Sequence, residues 1–174
     1  ELWSPAKADN KVMGASVLWR SYDAGIPVDF PEVPWAMEVA GDHSATSGTW
    51  KWEFSRDDLH KVDDAEYIRD HRLKAIYGSF SNAKKEEANA NTGLEWVGYL
   101  LGKRESRRLK GDYIYTFNDE KNMTEFPDAV AMETRTVDVH YQQKETDSSL
   151  PDFLSEALYY NCLLYTSPSP RDRT

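Results

Sequence analysis

The chain has 174 residues and a formal net charge of −9, with 21 basic against 30 acidic side chains and aromatic residues at 13%. That length allows one domain with a sizeable buried core, and an acidic balance without an extended basic face argues against a nucleic-acid partner. No apolar run is long enough to cross a bilayer, and the single cysteine, Cys162, excludes an internal disulfide framework or a cysteine-rich metal site.

Residues 16–22 predict a strand with Val17, Trp19 and Ser21 on one face. Asp23-Ala24-Gly25 is a turn signal, and Ile26-Pro27-Val28 is expected to open the return strand. Prolines 27, 31 and 34 keep the next stretch extended or looped, and the small polar residues 44–49 read as a loop. Trp50, Trp52 and Phe54 alternate with Lys51, Glu53 and Ser55, a period of two that predicts a half-buried strand. Asp63 and Asp64 can cap and favourably charge a helix from about Ala65 to Tyr77. Ile68, Leu73, Ile76 and Tyr77 would form its partial apolar stripe, and Gly78 its stop. A polar stretch from Ser81 to Thr92 comes next, helical around Lys84 to Glu87. Leu94 to Leu101 and Ile114 to Thr116 read as strands, Asp119 to Met123 as a helical turn, and Ala129 to His140 as containing a further strand. Strands and helices mix without a regular βα rhythm, so the expected fold class is α+β.

Between two of these strands the chain reads GKRESRRLKGDYIYTFND, Gly102 to Asp119. Lys103, Arg104, Arg107 and Arg108 surround Glu105 and Ser106, a basic knot in an acidic chain. Guanidinium groups offer a planar fork suited to carboxylates, phosphates or the polar edge of a flavin. In an extended strand Arg104, Ser106 and Arg108 would face one way, Glu105 and Arg107 the other. The knot can equally be an ion-pair network that ties two domains together.

His140 is a candidate general base because imidazole titrates near neutrality, and Asp138 would lie on the same strand face to orient it. The competing reading is a structural histidine. His43 falls in a loop, while His60 and His71 sit among charges typical of a solvated face. The acidic, histidine-containing stretch from Asp57 to His71 lacks the ligand spacing of a metal site, so no metal is expected. Trp50 and Trp52 could stack on sugar rings, with core packing as the alternative. A glycine-rich G-x-G-x-x-G turn for an ADP group does not occur in the sequence.

The run R-E-S-R-R-x-x-G-D-Y, Arg104 to Tyr113, resembles the signature of a family of bacterial FAD-dependent oxidoreductases whose flavin domain is of the glutathione-reductase type. Further segments are similar to that family in order and spacing: Met13 to Arg20, Asp23 to Val28, Trp50 to Glu53, the helix Ile68 to Tyr77, Leu94 to Gly98, Phe126 to Ala131 and Val137 to His140. The likeness covers roughly residues 12 to 161. Thr134-Arg135-Thr136, Tyr115 and Phe117 depart from the family pattern, so local substrate contacts are expected to differ.

The resemblance implies an FAD cofactor, with hydride passing from a polar organic substrate, sugar derivatives included, to the flavin. With the resemblance, Arg104 and Arg108 are expected to contact the cofactor and Ser106 and Arg107 the substrate; the residues themselves add substrate contact at Trp50 and Trp52 and the catalytic base at His140. The resemblance further implies that this chain is the substrate-domain portion of a two-domain enzyme, inactive alone, with the dinucleotide-binding half elsewhere in the same parent chain. Residues 1–101 would then belong to the substrate or cap domain, and 102–161 to the arginine strand and the return toward the flavin domain. Residues 162–174 resemble a translated sequencing adapter, as found on fragments assembled from environmental DNA, and are expected to be non-native. Two other functions remain open from the residues: a carbohydrate-binding module built on Trp50 and Trp52, and a purely structural interdomain segment. Localisation is not legible.

Overall fold

The computed structural model describes residues 13–48, 52–56, 58–104, 112–113, 115–133, 137–141, 151–154, 156–160 and 165–168. The fold is mixed α+β; the described residues form short helices, one long helix and three two-stranded sheets. The chain divides into two compact units, one of residues 10–106 and 140–156, the other of residues 1–9, 107–139 and 157–174.

In the first unit, β1 (Trp19–Asp23) pairs antiparallel with β2 (Thr92–Val97), with Trp19 opposite Val97 and Asp23 opposite Thr92. The expected return strand at Ile26 to Val28 does not form. The turn signal itself is real, since Asp23 Oδ1 accepts from Gly25 N at 2.9 Å. Beyond that turn, the backbone is held by the two residues after the 3-10 turn Glu87–Asn89: Ala24 N donates to Asn91 O and Val28 N to Ala90 O. Proline 27 cannot donate to a ladder, which leaves β2, about seventy residues on, as the partner.

Helix α1 (Met37–Ala40) comes after a 3-10 turn at Pro34–Ala36 and packs on α2 (Ala65–Ala83), the long element of the unit. Asp64 is the N-cap of α2, but its carboxylate turns back to accept from His60 N at 2.7 Å instead of capping the helix. The helix does not stop at Gly78; it runs on to Ala83. Gly78 is buried because α1 passes directly over it: a Cβ there would stand 2.4 Å from Ala40 Cβ and 3.1 Å from Ala36 O. Glycine serves here for close helix contact rather than as a terminator.

The buried face of α2 is Ile68, His71, Arg72, Ala75, Ile76, Ser79, Phe80 and Ala83, an unbroken i, i+3, i+4 stripe. Ala75 and Ile76 join Val17, Trp52 and Phe153 in one core cluster, and Ile68 joins Ala15 and Phe54 in a second. The Trp52 to Phe54 segment makes isolated bridges, Phe54 with Ala15 and Trp52 with Leu154, instead of a long strand. Its alternation is also broken: Glu53, expected on an open face, is as buried as its neighbours.

In the second unit, Tyr115 and Thr116 do not continue as a strand. Thr116 is the N-terminal cap of α3 (Phe117–Lys121): Thr116 N donates to Asp119 Oδ2 at 2.8 Å and Asp119 N donates back to Thr116 Oγ1 at 3.4 Å, a capping box. Two strands occupy 129–141 where one was expected: β3 (Ala129–Glu133), and β4 (Val137–Tyr141), whose last two residues belong to the first unit. β4 pairs with β5 (Glu156–Tyr160), and β3 pairs antiparallel with β6 (Tyr165–Pro168). β6 lies in the adapter-like segment; a free strand edge accepts any extended chain, so the pairing says nothing of that segment's origin.

Candidate functional site

The buried face of α2 carries two polar side chains, His71 and Arg72, to the Trp52 to Phe54 segment inside the first unit. Arg72 is fully buried, its guanidinium 5.5 Å from the Trp52 ring. Its Nη1 donates to Phe153 O at 2.9 Å. Nε and Nη2 are buried with no partner among the described residues. Burial pulls this guanidinium down to about 9, against the pull of Glu53 and Asp152 in the other direction, so it keeps its charge at neutral pH.

His71, one residue earlier, stacks flat on Phe54 at 3.6 Å and donates from Nε2 to Asp152 Oδ2 at 3.1 Å. The reading of His71 as part of a solvated face is therefore corrected: its ring is packed into the core. Together His71 and Arg72 grip the backbone and side chain of Asp152-Phe153, and Phe153 fills the core beside Trp52 at 5.3 Å.

Glu53 anchors the arginine knot. Its Oε1 accepts from Arg104 Nη1 at 2.6 Å, with the Glu53 side chain 1% exposed and that of Arg104 43% exposed. Buried Lys61 donates from Nζ to Arg104 O at 2.9 Å, and Gly102 exchanges two backbone hydrogen bonds with Ser16 at 2.8 and 3.1 Å. The head and carbonyl of Arg104 and the bridge at Gly102 just before it are thus each held from the core side.

Of the residues proposed from sequence, Arg104 is placed at this anchor and Trp52 in the core at 5% exposure. Trp52 is wedged edge-on by Trp19 at 5.5 Å and His43 at 5.3 Å, which leaves it no free face for a sugar ring. His140 lies in β4. Trp50, Ser106, Arg107 and Arg108 lie outside the described residues. Sequence reasoning did not single out Glu53, His71, Arg72 and Asp152 as a site. The signal available for two of them was the spacing of α2, where His71 and Arg72 fall on the Ile68, Ala75, Ile76 face. No group of histidine, cysteine and carboxylate side chains able to hold a metal occurs among the described residues. Among those residues, no helix is long and apolar enough to cross a membrane.

A family model described as FAD dependent oxidoreductase matches residues 13–163. The chain belongs to that family. No curated protein and no solved structure matches it. FAD is the family's cofactor, and the chemistry is that of an oxidoreductase acting on a small molecule. The described residues of this FAD dependent oxidoreductase chain fit one part of the cofactor. Arg104, half-exposed and anchored through Nη1 on Glu53, has guanidinium donors suited to the carbonyl-rich edge of a flavin ring. The N-terminus of α2 does not suit the diphosphate: it is flanked by Asp63 and Asp64, which repel phosphate where a helix start would otherwise attract it.

Proposed function

We propose that this chain is the substrate-facing portion of an FAD-dependent oxidoreductase that removes hydride from a polar organic substrate, with the dinucleotide-binding half supplied elsewhere in the same parent chain. The observation that carries this reading is the family match over residues 13–163 together with a guanidinium, Arg104, held from behind and open in front. FAD, when bound, supplies the hydride acceptor. The chain's own residues would do the rest: Arg104 and Arg108 donate hydrogen bonds to the flavin edge, and Ser106 and Arg107 hold the substrate's polar groups. His140 takes the proton that leaves with the hydride, a task suited to an imidazole near neutrality.

The ion pair of Arg104 with Glu53 favours a second reading, in which the knot is purely structural. The two separate on one experiment. The parent protein is expressed with its full reading frame and its visible spectrum is recorded, then Arg104→Gln, Arg108→Gln and His140→Gln are assayed for turnover and for retained flavin. Flavin bands near 450 nm, roughly, released on denaturation, and a loss of turnover in His140→Gln of about a hundredfold or more are expected. A colourless folded protein would sink the oxidoreductase reading. Full turnover in both arginine variants would leave the knot structural.

A further inference from the structure

Glu53 is the one buried carboxylate among the described residues of its unit. A carboxylate is costly to take out of water, and it stays ionised inside only where paired and hydrogen-bonded. The fold makes room for it: a Cβ on Gly14 would stand 2.5 Å from Glu53 Cβ, so only glycine lets that backbone pass so close. Its own backbone is fixed on both sides, by the paired bonds of Phe54 with Ala15 at 3.0 Å and by the bridge of Trp52 with Leu154. One partner of the Glu53–Arg104 pair is thus rigid and dry, the other half in water. A pair made only for stability gains little from a solvated member. An anchored anion behind an outward guanidinium is the arrangement that aims a donor set at something outside.

We infer that Glu53 is a positioning residue: it fixes the Arg104 guanidinium, and with Lys61 the start of the arginine segment, in the orientation used for flavin or substrate. This rests on the functional reading proposed above. Glu53 touches neither cofactor nor substrate and acts through Arg104.

The test uses the FAD-loaded, full-length protein and four forms of it: unaltered, Arg104→Gln, Glu53→Gln, and Glu53→Gln with Arg72→Met. The double variant is needed because Glu53→Gln alone deprives the buried Arg72 of the negative charge that supports it most, whereas removing both charges spares the core that penalty. The readouts are the position of the bound-flavin absorption band, and kcat and KM separately. Arg104→Gln is expected to shift the band and to lower kcat/KM by on the order of tenfold or more. Both Glu53 variants are expected to shift the band in the same direction and to reproduce that loss, although Arg104 is intact. If Arg104→Gln changes band and turnover while the folded double variant changes neither, the positioning role is overturned and the functional reading stands. If Arg104→Gln changes nothing, the functional reading of Arg104 falls and the role of Glu53 with it.

Discussion

His43 shows how a loop histidine becomes a titration switch for stability. Its Nδ1 shares a 2.9 Å hydrogen bond with the buried Ser79 hydroxyl, and its ring is held edge-on by Trp52 at 5.3 Å and Phe153 at 5.2 Å. Loss of hydration in that aromatic wedge penalises the imidazolium and lowers its pKa from 6.5. The unfolded chain therefore binds this proton more tightly than the folded one. Stability contributed here is fully present above about pH 6.5 and is lost as pH falls below it. Carboxylates whose pKa values are lowered, Glu38 beside Lys74 and Asp119 beside Tyr113 and Thr116, withdraw their contribution only further down, below 4.5 and 3.8 respectively. Urea unfolding at about pH 7.5 and about 5.5, either side of that window, should thus give a lower midpoint at the acid end, and His43→Gln should flatten the difference. An unchanged pH slope in that variant would mean that the wedge does not disfavour the charged ring.

At the scale of elements, α2 illustrates a glycine whose role inverts between sequence and structure. Gly78 lies mid-helix, where alanine is intrinsically better by about 1 kcal/mol. The contact with α1 opposes that gain, because the added methyl would meet Ala40 Cβ at 2.4 Å and Met37 Cε at 3.3 Å. Overpacking of this kind costs roughly 1–3 kcal/mol, and the obstacle is backbone-attached, so it cannot swing away. Gly78→Ala is expected to destabilise the first unit by about 1 kcal/mol net, read as a lower urea midpoint; a rise would show that α1 lifts off without cost. The same helix explains what pattern reading could reach. Its existence and start were legible from Asp63, Asp64 and Ile68, but its buried face was not, since His71, Arg72 and Ser79 interrupt the apolar stripe. Their burial depends on partners distant in sequence, Asp152, Phe153 and His43, that no local period reveals. Glu53 was missed for the same reason: its alternation with Trp52 and Phe54 says surface, and Arg104, fifty-one residues on, takes it inside.

For the whole molecule, the family was legible in the order of short motifs, while the way the chain serves its cofactor turns on charge and on what a diphosphate demands. A dinucleotide phosphate is ordinarily held by a glycine-rich turn feeding a helix N-terminus. The long helix here starts behind two aspartates, and the chain as a whole carries −9, a field that discourages a polyanion from approaching. The cation anchored by Glu53 can address a ring edge but cannot replace that cradle, because one half-exposed guanidinium supplies little of the affinity that a desolvated, many-donor site provides. The 174-residue chain alone is therefore expected to leave FAD free: titration of micromolar flavin should show no saturable change in flavin fluorescence, and desalting should return a colourless protein. Addition of about 0.5 M salt, which screens the acidic field, should not rescue binding if, as proposed, the diphosphate cradle lies in the other half, because screening does not supply a donor array. A yellow, desalted chain would place a diphosphate site within these residues and would overturn the proposed division of labour between this portion and a separate dinucleotide-binding half.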